Sequence, residues 1–167
     1  MAKVKSSLIG IYLGITPQAT EYNRVGYFVE SLSLNMNPTE TDYADVTMDT
    51  QATDLESYKP TIEASGKLDQ DDPVYKLFVQ LYRKQKVLDE AQFPVVIVHL
   101  YDDGPDTADL YESATVVVNS IGLNGAAPAE VDFKISMNTS PVAGTATMGE
   151  NNKVVTAFSK SSSGGDG

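Results

Sequence analysis

From Thr115 to Asn138 the chain reads TVVVNSIGLNGAAPAEVDFKISMN. Its second half alternates strictly, with Val131, Phe133, Ile135 and Met137 set against Glu130, Asp132, Lys134 and Ser136. A period of two marks a strand with one buried and one wet face. The first half is rich in valine and reads as a second strand, and Gly125-Ala126-Ala127-Pro128 supplies the turn between them. Neither strand carries a nucleophile beside a base, or a set of metal ligands. The segment offers geometry and no chemistry.

The same signature recurs outward from this hairpin. Lys59–Leu68 alternates, with Ile62, Ala64 and Leu68 on one side and Thr61, Glu63, Ser65 and Lys67 on the other. Val25–Met36 settles to Leu32, Leu34 and Met36 against Ser31, Ser33 and Asn35, and Val95–Tyr101 is apolar on both faces, as a central strand would be. Leu8–Ile15 suits a buried strand, and Val154–Phe158 suits a last one. Lys3 and Lys5 before Leu8 sketch a signal peptide, but Gly10 and Gly14 interrupt a short apolar core and no small-residue cleavage site follows.

One helix breaks the series. Asp72 can cap it, Pro73 fits its first position, and Val74, Leu77, Phe78, Leu81 and Tyr82 form one apolar stripe. Asp71 and Asp72 sit at the positive end of its dipole, with Arg83, Lys84 and Lys86 at the negative end; helix-end electrostatics accounts for that basic cluster without a nucleic-acid site. The fold class that follows is mainly β: a sandwich or open barrel of about eight strands with one flanking α-helix. A single domain spans residues 1–158, and a Gly/Ser-rich flexible tail runs from 159 to 167.

Composition narrows function by exclusion. With no cysteine there is no disulfide scaffold, thiolate site or cysteine nucleophile. The sole histidine, His99, lies within a strand-like run and has no second histidine or thiol for a triad or metal site. Asp102–Asp109 resembles a calcium loop, yet Gly104 falls on the third ligand position and Ser113 where a bidentate Glu is required, so an acidic Gly-Pro turn is the simpler reading. No pair of carboxylates stands out, and neither an enzyme nor a cofactor is expected. A net charge of −11 disfavours nucleic-acid binding. No run approaches the roughly 18 apolar residues that span a bilayer as a helix.

Residues 37–57 are unusual. They carry Glu40, Asp42, Asp45, Asp49, Asp54 and Glu56 without a single Lys or Arg, and their apolar residues, mainly Tyr43, Val46, Met48 and Leu55, are too few for core strands. This reads as a long acidic loop. Loops of that length in compact domains are usually functional or disordered; this one is expected to contact another subunit and to order on assembly, with a solvated acidic loop as the alternative reading.

Taken in order, the N-terminal strand, the polar segment at 37–57, KPTIEASGKLDQDDPVYKLFVQL and the closing hairpin VVVNSIGLNGAAPAEVDFKISMN resemble the tail tube (major tail) proteins of long-tailed, non-contractile bacteriophages. The resemblance covers most of residues 8–158. It implies a virion protein made in the host cytoplasm, forming hexameric rings that stack into a tube. Its partners would be further copies of itself, the tape-measure protein, and the tail terminator and tail tip proteins, with DNA passing through unbound and no membrane contact. Thr61, Glu63, Ser65, Glu130, Asp132 and Ser136, on the polar sides of the two alternating strands, are then candidates to line the channel. A monomeric ligand-binding β-sandwich, such as a carbohydrate-binding module, is the competing reading; the absence of tryptophan weakens it.

Overall fold

Strand β8, Asp106–Gly122, organises the molecule because its two halves pair with different strands of one nine-stranded sheet. A computed structural model describes residues 8–26, 29–47, 49–67, 69–100, 106–123 and 125–161. In chain order its strands are β1 (Ile9–Leu13), β2 (Tyr22–Arg24), β3 (Val29–Asn35), β4 (Pro38–Tyr43), β5 (Ala52–Tyr58) and β6 (Thr61–Lys67). Helix α1 (Pro73–Lys84) and a 3-10 turn (Leu88–Ala91) follow, then β7 (Gln92–His99), β8, β9 (Glu130–Met137), β10 (Val142–Met148) and β11 (Val154–Lys160).

The first half of β8 pairs with β7 on one side and with β10 on the other, from Asp106 opposite Ala146 to Leu110 opposite Val142. Since β10 also pairs with β11, and the order continues through β2, β1 and β7, six strands close on themselves. Tyr12, Tyr22, Val96, Val98, Ala108, Ala146 and Val155 fill the interior. Tyr12 is fully buried; its hydroxyl donates to the Asn152 carbonyl at 2.7 Å, and burial pushes its pKa up. Gly10 leaves room for that ring, because a Cβ there would lie 2.6 Å from it.

The second half of β8 departs from the barrel to form an arm with β9, β6 and β3, antiparallel throughout. Between arm and barrel lies the main core, where Ile11, Leu13, Val95 and Ile97 meet Ile62, Ala64, Phe133 and Ile135, with α1 packed alongside. Phe133 touches the ring of Phe78 from α1, the centroids 4.6 Å apart.

The helix begins as its sequence dictates: Asp72 accepts from the Val74 N–H at 2.9 Å and Pro73 follows the cap. Val74, Leu77, Phe78 and Leu81 are buried, whereas Tyr82, at the margin of the stripe, is exposed. Asp72→Ala should cost about 1 kcal/mol, the usual worth of such a cap. A urea melt checks this, with Asp72→Asn, which keeps a capping oxygen, expected close to wild type.

Several expectations need correction. There are eleven strands among the described residues, not about eight. The central strand starts before Val95: β7 runs from Gln92 to His99 and passes through Pro94, with a register shift between Phe93 and Val95 where a missing N–H is tolerated. The segment at 37–57 is not a loop but the hairpin β4–β5. The tail starts later than residue 159, since β11 holds Ser159 and Lys160 in the sheet; residues 162–167 lie outside the described residues. So do Met48, Leu68 and the first half of the calcium-like segment, residues 102–105.

Candidate functional site

Three features of the surface stand out. The first is the polar face of the arm, whose register sets its side chains in rows. Thr115, Ser136, Thr61 and Asn35 form the top row; Val117, Lys134, Glu63 and Ser33 the next. Ser120, Asp132, Ser65 and Ser31 follow, and Gly122, Glu130 and Lys67 close the far end. All six channel candidates therefore share one face of one sheet. Glu63, Glu130 and Asp132 are exposed, and Ser65 and Ser136 are half-buried. Thr61 is only 8% exposed and accepts from Asn37 Nδ2 at 2.9 Å, so it offers no open surface.

The face is tied together internally. Ser120 donates to Asp132 Oδ2 at 3.1 Å, the Ser31 and Ser65 hydroxyls lie 3.0 Å apart, and Lys67 Nζ pairs with Glu30 at 3.2 Å. Glu63 stands opposite Lys134 and Glu130 opposite Lys67, cross-strand pairs of opposite sign. Four carboxylates, Glu30 included, outweigh two lysines, and the face is net negative.

The second surface is a pair of open edges. No described strand covers the outer side of β3, and none covers β8 beyond its last partner in β7, Gln92 opposite Thr115. Leu32 and Leu34, opposite Ala64 and Ile62, continue the core row to the β3 edge. There Leu34 is 38% exposed and Met36 42% exposed, an apolar row left unfinished. Exposed strand edges of this kind template pairing with another chain.

The third surface is the hairpin. β4 and β5 pair only with each other, from Pro38 opposite Tyr58 to Tyr43 opposite Ala52. The whole of β4 is exposed, and so is β5 except for half-buried Ala52. Glu40, Asp42, Thr53 and Leu55 share one face; Thr41, Tyr43 and Asp54 share the other. Local hydrogen bonds hold the shape: Thr53 donates to Asp42 at 2.6 Å and Thr41 to Glu56 at 2.5 Å. At the tip the Thr47 hydroxyl and then its N–H hold the Asp45 carboxyl below its ordinary pKa. A lone two-stranded hairpin is marginal in water.

Sequence reasoning did not find the open edges. Alternation shows which residues face the core, but an edge is defined by the order of strands in space. Among the described residues no group of three or more His, Cys, Asp or Glu side chains could hold a metal ion. His99 sits half-buried at the end of β7, opposite Ile9 and Thr107.

No protein-family model matches the sequence, and no curated protein does. Solved structures do match in fold. A chain from the tail of an empty gene transfer agent particle, a helical assembly with C6 symmetry, superposes with a TM-score of 0.59 at 9% identity, over 83% of this chain and 97% of that one. A chain of the native gene transfer agent virion gives 0.55 at 9% identity, over 94% and 99%. A chain of the tube-terminating cap of the anti-feeding prophage gives 0.53 at 13%, over 87% and 93%. At these identities the likeness concerns fold alone: a mainly β chain with one large sheet, of the kind found in phage-like tails and contractile injection systems.

Proposed function

We propose that this protein is a structural subunit of a phage-type tail tube, assembling head to tail into rings, six copies to a ring, that stack into a conduit for DNA. The observation that carries this reading is the arm with its two open edges. Its four strands are antiparallel, so its first and last strands, β8 and β3, run in opposite senses. When β3 of one copy meets β8 of the next, the pair is again antiparallel and the ladder continues unbroken. A rotation that repeats this contact closes a ring. The unfinished row at Leu34 and Met36 is buried in the same step.

The fold shared with a C6-symmetric tail supports six copies. In such a ring the polar face of the arm forms the channel wall, and each exposed carboxylate becomes a ring of charge that repels phosphate. The role is structural rather than catalytic. Self-association in the tail, capping by a terminator, enclosure of a tape-measure protein and a non-contractile tail belong to the same reading.

Negative-stain microscopy of concentrated protein tests it, with rings or tubes as the expected result. A monomer at every concentration and salt, even when an initiating tail tip complex is added, would exclude the reading.

The channel wall carries its own test. Asp132→Lys, opposite Ser65 rather than opposite a lysine, should leave tubes intact while slowing genome passage. The drag should be strongest at low salt, because phosphate contacts weaken steeply as salt rises. Wild-type rates at every salt concentration, with tubes intact, would place Asp132 away from the channel.

A further inference from the structure

The end of α1 presents a second exposed apolar spot. After Lys84 the chain turns through Gln85 at φ 47°, with its N–H bonded to the Leu81 carbonyl, and reaches Leu88 at φ 55°. A branched side chain in the left-handed region is an uncommon and costly conformation, worth a functional explanation. Here the strain brings no burial: Val87 is 66% exposed and Leu88 81%. Arg83, Lys84 and Lys86 precede this pair along the chain, and Asp89 and Glu90 follow it in the 3-10 turn. The corner thus combines an apolar centre with three of the chain's 12 basic residues.

The hairpin has the complementary composition. Leu55 lies opposite Glu40 and shares its face with Asp42, an apolar centre flanked by acids. Topology brings the two together. The top row of the arm runs from Asn35 through Thr61 and Ser136 to Thr115, which pairs with Gln92. The hairpin leaves the sheet just after Asn35, on the β3 edge. The 3-10 turn at Leu88–Ala91 enters it at Gln92, beside the β8 edge. Both elements therefore hang from the same end of the sheet, at opposite edges.

We infer that the hairpin of one copy docks laterally on the Arg83–Leu88 corner of the next copy in the same ring, Leu55 against Val87 and Leu88 and Glu40 and Asp42 against the basic side chains. The inference rests on the ring reading above: joining β3 to the β8 edge of a neighbour sets the hairpin root beside that neighbour's corner. Strands are about 4.8 Å apart and rise about 3.3 Å per residue, so Leu55, three residues from the root, lies at the right reach. The other face is less suited, since its apolar residue, Tyr43, lies at the far end of β4.

The chain has no cysteine, so engineered pairs give clean cross-links. Leu55→Cys combined with Val87→Cys, both exposed positions, should cross-link in assembled tubes with a short bis-maleimide. The covalent ladder should stop at the ring number. Tubes that form but give no cross-link, or a ladder running past one ring, overturn the docking and leave the tube reading standing. Absence of tubes from the uncross-linked double variant and from wild type alike overturns both.

Charge supplies a second arm. Glu40→Lys with Asp42→Lys, or Lys84→Glu with Lys86→Glu, should each raise the critical concentration for assembly about tenfold at low salt. Combining all four changes should recover most of that loss. If the quadruple variant is as poor as the sum of the two, while each folds with a wild-type melting temperature, the corner is not the hairpin's partner.

Discussion

Removing residues 40–54 should abolish polymerisation and leave the rest of the protein folded. The deletion takes no residue from either core: none of the side chains packed in the barrel or between arm and barrel comes from 38–58. It also spares the pairing of β3 with β6, which runs from Val29 opposite Gly66 to Asn35 opposite Thr61. Near-wild-type circular dichroism and a urea midpoint close to that of the full chain are expected. Assembly, followed by sedimentation, should be lost at concentrations where wild type is fully polymerised. The same hairpin should lose most of its amide exchange in the assembled state, where it would dock on a neighbouring copy. Tubes formed by the deletion variant would show that edge pairing alone suffices.

The second large effect is expected at Phe133→Ala. Phe133 is 2% exposed, lies in the centre of β9 and meets Phe78 across the arm–helix boundary. Deleting a buried phenylalanine removes its transfer energy and leaves a cavity, together about 3–5 kcal/mol. For a chain whose total stability is of order 10 kcal/mol this is a large fraction. The urea midpoint should fall accordingly, and α1 should become the first element to exchange. A loss under about 1 kcal/mol would mean that the helix does not rest on this ring. Ile135, buried in the same strand, is the natural comparison.

What sequence could and could not convey divides along burial. Strand β9 was legible almost to the residue, because Val131, Phe133, Ile135 and Met137 all enter the core and so impose the period of two. Asp72 and Pro73 announced the helix start for reasons local to the first turn. The hairpin was illegible for the opposite cause: with neither face buried within one copy, nothing forces alternation on Pro38–Tyr58. Its acids fall on both sides, and the pattern looks like a loop. Tyr82 has helical spacing, yet it sits where the stripe meets solvent. The polar face of the arm was legible residue by residue; that Thr61 is capped by Asn37 required the fold. The corner at Val87–Leu88 carried no periodic signal, since a strained turn is set by the path between helix and strand.

One consequence follows from β8 being shared. Its 17 residues form one strand that passes from the closed barrel into the arm, with register shifts at 111–114 and 118–120. A pull applied to the arm through a neighbour's edge is therefore delivered along a covalent backbone into the β8–β10 seam that closes the barrel. Each subunit would act as a rigid bracket, and a stack of such brackets would resist bending and torsion through strand backbones rather than through side-chain contacts. Compliance in the assembly would reside in the hairpin, which is joined to the bracket only through its root at residues 35–38 and 58–61.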